Sequence, residues 1–126
     1  MNDNQHHLTK TGERILEILQ NSDIPLTVYQ ISDRTKIPVP SVYRNVAVLQ
    51  AQELVSEFQI RGIGYYYARQ RHSHYFICKS CGNIVPLQSC EILNSEVEKS
   101  IDCKVTEHIV IYQGFCKSCL EKEQKR

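Results

Sequence analysis

Two Cys-Lys-Ser-Cys motifs, Cys78–Cys81 and Cys116–Cys119, leave 34 residues between their inner cysteines. Nothing else in the chain narrows its possible folds as much. Two residues between thiolates let both sulfurs face one ion from a tight turn. Gly82, directly after the first pair, suits the positive φ that such a turn often demands. Four thiolates around Zn²⁺ form a closed tetrahedron with no vacancy for substrate, which is structural chemistry. The competing readings are a thioredoxin-like redox pair and an iron–sulfur cluster. A redox motif leaves the second copy unexplained, and its strand–turn–helix setting is missing. One structural Zn²⁺ on Cys78, Cys81, Cys116 and Cys119 is therefore the expected cofactor.

Such a staple has work to do. The chain has 126 residues, no Trp and three Phe, so two small halves would each bury a thin core and need a metal or a partner chain. Net charge is +1, and it does not segregate: residues 1–71 hold eight Lys and Arg against seven Asp and Glu, the remainder seven against seven. Any nucleic-acid contact must rest on a local patch, since no global field exists to attract a polyanion. The start MNDNQHHLTK lacks an apolar signal core, and no apolar run approaches the length of a membrane span. The expectation is a soluble, cytoplasmic protein with no membrane partner. Six cysteines in a reducing compartment favour metal ligation over a disulfide framework.

The first half reads as helix, helix, helix, hairpin. TGERILEILQN places Ile15, Leu16, Ile18 and Leu19 on one helical face. Thr27 and Gln30 form a capping box opening a second helix that runs to about Lys36. After the IPVP punctuation a third helix opens near Ser41, with Val42, Val46 and Leu49 inward and Ser41, Arg44, Asn45 and Val48 on the other face. VSEFQI and YYYAR flank an RGIG turn, a hairpin directly after a helix-turn-helix. That order is the winged form of the motif; a small three-helix bundle with an appended hairpin is the plainer alternative.

The second half has a different grammar. HYFICKS and NIVPL read as strands around the first Cys pair, CEILNSEVEKSI as a helix with Cys90, Leu93, Val97 and Ile101 on one stripe, and CKVTEHIVIYQG as a long strand. Its polar ending, after the second Cys pair, is expected to fray. In a continuous strand His72, His74, Phe76 and Cys78 share a face, but His74 and Cys78 lie about 13 Å apart, too far for one ion. His72 and His74 can both reach a second ion, or they are simply polar surface. Further candidate ligands are His108 and Cys103, with His6 and His7 as remoter ones. Cys90 reads better as a buried inert thiol.

At this point the chain resembles the ferric uptake regulator (Fur) family of metal-sensing bacterial repressors. The resemblance rests on Thr11-Gly-Glu-Arg14, on Ser41-Val-Tyr-Arg-Asn-Val, and on the HxH ahead of Ile77-Cys78-Lys-Ser-Cys81-Gly82. It extends to His108, eight residues before Cys116, and to Cys119. It implies an α+β chain: an N-terminal winged helix-turn-helix (1–69), then a small α/β dimerisation domain with a four-cysteine zinc site (70–126). It further implies a homodimer that binds double-stranded, palindromic, AT-rich operators when metal-loaded. Tyr43 and Arg44 match the family's recognition-helix pair and, with Ser41 on the same helix and Lys10, are the expected DNA contacts. Lys10 lies next to a basic minor-groove position that Thr9 itself occupies.

The sensing sites depart from the family. Pro25, the run Tyr65-Tyr66-Tyr67, and Pro86 stand where an inter-domain site would have a histidine and two carboxylates. Arg71, Ser73 and Leu93 stand at three positions of a second site, which keeps only His108. The resemblance therefore implies a rebuilt sensor around His72, His74, Cys103 and His108, holding a second, regulatory divalent metal. Donors with few oxygens suit Zn²⁺ better than Fe²⁺. FICKSCG and GFCKSCLEKE look most like the zinc-uptake regulator (Zur) branch.

The expected function is thus a zinc-sensing repressor of metal uptake genes. An iron- or peroxide-responsive member of the same family is one alternative. An architectural DNA-binding protein with one structural zinc is another, and a thiol redox sensor using Cys90 or Cys103 is a third. No catalytic triad or Gly-rich phosphate loop occurs, and no enzyme activity is expected.

Overall fold

The computed structural model describes residues 8–69, 74–87 and 94–124. The chain divides into two compact units, Met1–Arg71 and His72–Arg126. No helix among the described residues is long and apolar enough to cross a membrane.

In the first unit α1 spans Lys10–Gln20, and Thr9 starts it by accepting the Gly12 N–H at 3.0 Å. Helix α2 (Val28–Thr35) opens on the Thr27–Gln30 capping box, with reciprocal bonds of 3.2 and 2.9 Å. It ends at Lys36 in the left-handed region, φ 65°. Helix α3 spans Val39–Ala51 and buries Val42, Val46 and Leu49. It begins two residues ahead of the expected Ser41. Pro40 sits in its first turn, where a missing N–H forfeits no helical bond.

Strands β1 (Val55–Ile60) and β2 (Ile63–Ala68) pair antiparallel from Val55↔Ala68 to Ile60↔Ile63. The turn is therefore Arg61–Gly62 alone, shorter than the expected RGIG. Both residues have positive φ, 55° and 79°, the twist that a two-residue hairpin loop requires. Leu26 adds a one-residue bridge to Tyr66 through backbone bonds of 2.9 and 2.8 Å, tying the segment before α2 onto the wing. Ile15, Leu19, Leu26, Ile31, Val42, Val46 and Leu49 make one continuous core with Val55, Tyr66 and Ala68. Each large aliphatic side chain so buried contributes roughly 1.5–3 kcal/mol. This is the winged helix-turn-helix.

The second unit holds a three-stranded sheet in the order β4-β3-β5. β3 (His74–Cys78) pairs antiparallel with β4 (Ile84–Leu87) and parallel with β5 (Ile111–Gly114). Helix α4 (Asn94–Ile101) comes between β4 and β5 in the chain, and α5 (Lys117–Gln124) follows the second Cys pair. Two expectations change. The long strand from Cys103 shrinks to Ile111–Gly114, because β3 offers only Tyr75 to Cys78 as parallel partners. The polar ending, expected to fray, is helical to Gln124. Val97 and Ile101 of the predicted α4 stripe are exposed in the single chain, while Cys90 and Leu93 lie outside the described residues.

Candidate metal centre

β3 delivers Cys78 to a turn, Lys79-Ser80-Cys81, closed by a 3.0 Å bond from the Gly82 N–H to the Cys78 carbonyl. Gly82 takes φ 77°, as its place after the pair suggested. The Lys79 N–H donates to the Gly114 carbonyl at 2.7 Å and so fixes this turn to the end of β5. Two residues on, Cys116 leads into α5 and Cys119 lies in its first turn. The four sulfurs converge within 4.8 Å of one another. Cys78 and Cys119 are 3.6 Å apart, Cys81 and Cys116 3.7 Å. Zn–S bonds of about 2.3 Å place tetrahedral sulfurs roughly 3.8 Å apart, and a disulfide would bring them to about 2.05 Å. The spacing fits a closed metal tetrahedron.

The electrostatics fit a cation as well. Backbone N–H groups of Cys81 and Cys116 point at the Cys78 sulfur, at 3.5 and 3.4 Å, and lower its thiol pKa to about 6 against the opposing effect of burial. At Cys119 the Ser80 hydroxyl alone lowers the pKa. The neighbouring thiols Cys116 and Cys78, burial and Cys81 outweigh it and carry the value to about 11. A divalent ion would offset the rise at Cys119, since coordinated thiols deprotonate outright.

The histidines divide. His72 lies outside the described residues. His74, 3% exposed, and His108 stack with ring centroids 5.2 Å apart and planes 15° from parallel. The Val110 N–H donates to His74 Nδ1 at 2.9 Å, and His108 Nδ1 meets Asn94 Oδ1 at 2.7 Å. Cys103 is exposed just past α4. Among the described residues, only the four cysteines gather as three or more ligands around one point. Asn94 and Val110 were not picked out in the sequence; a polar residue opening a helix hints at the first, and no side-chain pattern signals a backbone N–H.

On α3, Tyr43 and Arg44 are exposed side by side, Tyr43 at 48%. Ser41 is half-buried: Asn45 Nδ2 donates to its carbonyl at 2.8 Å and to its hydroxyl at 3.4 Å. Thr9 Oγ1 donates to Asn45 Oδ1 at 3.3 Å, which joins the start of α1, with exposed Lys10, to the α3 face carrying Ser41 and Arg44. Gly12 permits this approach, because a Cβ there would lie 3.3 Å from Asn45 Oδ1.

Comparison with known proteins agrees with this arrangement. The ferric uptake regulator family matches residues 3–113. The Campylobacter jejuni ferric uptake regulation protein is 27% identical over 128 residues, covering 93% of this chain and 82% of that one. The Helicobacter pylori ferric uptake regulator Fur shares the fold with a TM-score of 0.74 at 24% identity, over 94% of this chain and 85% of that one. The Campylobacter jejuni peroxide stress regulator does so at 0.70 and 24%, over 86% and 88%. With a winged helix, a thiolate tetrahedron and a match that spans almost its full length, this chain belongs to the ferric uptake regulator family, whose members are metal-responsive regulators.

Proposed function

We propose that the chain is a metal-dependent transcriptional repressor that binds palindromic operator DNA as a homodimer and senses zinc to control metal uptake genes. The observation that carries this reading is the exposed Tyr43–Arg44 pair on α3 of a winged helix, in the same chain as a metal-ready cluster. The Arg44 fork suits guanine or phosphate, the Tyr43 ring a thymine methyl, and Lys10 a phosphate. Ser41, bonded to Asn45, steadies the helix that presents them. Residues 1–69 would read DNA and residues 70–126 would dimerise. Val97, Ile101, Tyr112, Phe115 and Leu120 are exposed in the second unit, apolar side chains of the kind a second copy would cover.

Zn²⁺ on Cys78, Cys81, Cys116 and Cys119 would be structural, with the second unit folded around it. The regulatory ion would be held by a set drawn from His72, His74, Cys103 and His108. Soft and borderline donors favour zinc over iron, whose usual carboxylates are absent at Tyr65–Tyr67 and Pro86. The test is affinity for an operator selected from a random palindromic library, titrated against free zinc at fixed salt. Loading the second site should tighten binding about 100-fold, or about 2.7 kcal/mol. Arg44→Ala should weaken it by about 1–3 kcal/mol. Unchanged affinity in Arg44→Ala would overturn the reading-helix assignment.

One observation favours a second reading, an architectural DNA-binding protein with a single structural zinc: the Nδ1 of His74 is already engaged by Val110. Metal stoichiometry of the purified protein separates the two, with one zinc per chain for the architectural protein and two for the sensor.

A further inference from the structure

We propose that His74 serves as a backbone acceptor in the resting protein, and that it takes a second ion only by releasing Val110. The inference rests on the sensor reading and deepens it. A neutral imidazole carries one proton and one in-plane lone pair, on different nitrogens. Nδ1 of His74 accepts the Val110 N–H at 2.9 Å, so the lone pair is there and the proton is on Nε2. A metal needs a lone pair. Bound at Nδ1, it displaces the Val110 N–H. Bound at Nε2, it moves the ring proton to Nδ1, where it faces the Val110 N–H donor against donor. Either nitrogen gives the same result, and the bond to Val110 is lost.

His108 is set the other way. Its Nδ1 faces the acceptor Asn94 Oδ1 at 2.7 Å, which puts its lone pair on Nε2. That is the tautomer of a metal-binding histidine oriented by a neighbouring amide. The two stacked rings thus hold opposite tautomers, one fit for an ion and one committed to the backbone.

The release would be felt in the sheet. The Val110 carbonyl accepts the Tyr75 N–H at 3.0 Å, so the residue is bound to β3 on both of its backbone groups. Ile111 comes next and opens β5, whose last residue, Gly114, accepts from Lys79 in the sulfur turn. An ion on His74 would therefore loosen the entrance to the strand that leads to the second cysteine pair.

The experiment uses the full chain, ¹⁵N-labelled, with the four-cysteine site saturated, and adds Zn²⁺ alone beyond one equivalent. Long-range ¹H–¹⁵N spectra report the His74 tautomer, and amide exchange reports Val110. The resting protein should show His74 as the Nε2–H form with Val110 protected. The second equivalent should speed Val110 exchange at least tenfold. His74→Gln, whose carbonyl can accept the same N–H, should abolish that acceleration. An Nδ1–H resting tautomer, or an ion on His74 with Val110 exchange unchanged, overturns the proposal. If no second ion binds, the sensor reading fails separately; the wild-type tautomer alone then decides, with Nε2–H upholding the acceptor role and Nδ1–H overturning it.

Discussion

The two units solve the same stability problem with different chemistry. The first buries Ile15, Leu19, Leu26, Ile31, Val42, Val46 and Leu49 beneath a hairpin. The second, among its described residues, buries Tyr75, Ile77, Cys78 and His74 and leaves Val97, Ile101, Tyr112, Phe115 and Leu120 exposed. A small domain with so little buried apolar surface depends on a crosslink or a partner. Four converging sulfurs supply the crosslink. The helix proposed to read DNA thus sits in a unit with an apolar core of its own, whereas the four cysteines gather in the other.

Metal removal should expose this contrast most strongly. Chelation, or Cys116→Ser, should unfold the second unit, a loss of about 10 kcal/mol or more in apparent stability, while the first keeps its amide protection. Residue-resolved hydrogen exchange reads both at once; parallel loss in the two units would abolish the distinction. Leu49→Ala should do the converse. It should cost the first unit about 2–5 kcal/mol in urea unfolding and leave zinc retention unchanged.

Gly64→Ala should cost less, about 1–3 kcal/mol, by overpacking the wing. Its new Cβ would press on the Glu57 carboxylate, which accepts the Gln50 and Gln59 side-chain amides at 3.2 and 3.3 Å. Gln50 lies on α3, so a larger loss of DNA affinity than of stability would mark Glu57 as a brace between wing and α3. Thr27→Ala should be smallest, about 1 kcal/mol from the lost cap, again confined to the first unit.

How much of this could be read beforehand also differs between the halves. Helical periodicity located Ile15, Leu19, Val42, Val46 and Leu49, and Thr27 with Gln30 declared a helix start, because these signals are local. Pro40 misled by only two residues, since a proline marks the first turn of a helix as well as a stop. The cysteine spacing pointed to one site, and the sulfurs do converge. The β-branched run after Cys103 promised a long strand, but a strand needs a partner, and β3 is five residues long. The histidines were visible as candidates, yet their hydrogen-bond partners are a backbone N–H 36 residues from His74 and an amide 14 residues from His108, contacts that no local pattern encodes.

The register that brings Cys78 beside Cys119 also sets an order of events during synthesis. The winged helix is complete once Ala68 has left the ribosome, and N-terminal units generally fold as they emerge. The sulfur cluster closes only after Cys119 follows, some fifty residues later. The nascent chain therefore acquires its winged-helix shape before it is able to bring its four cysteines together.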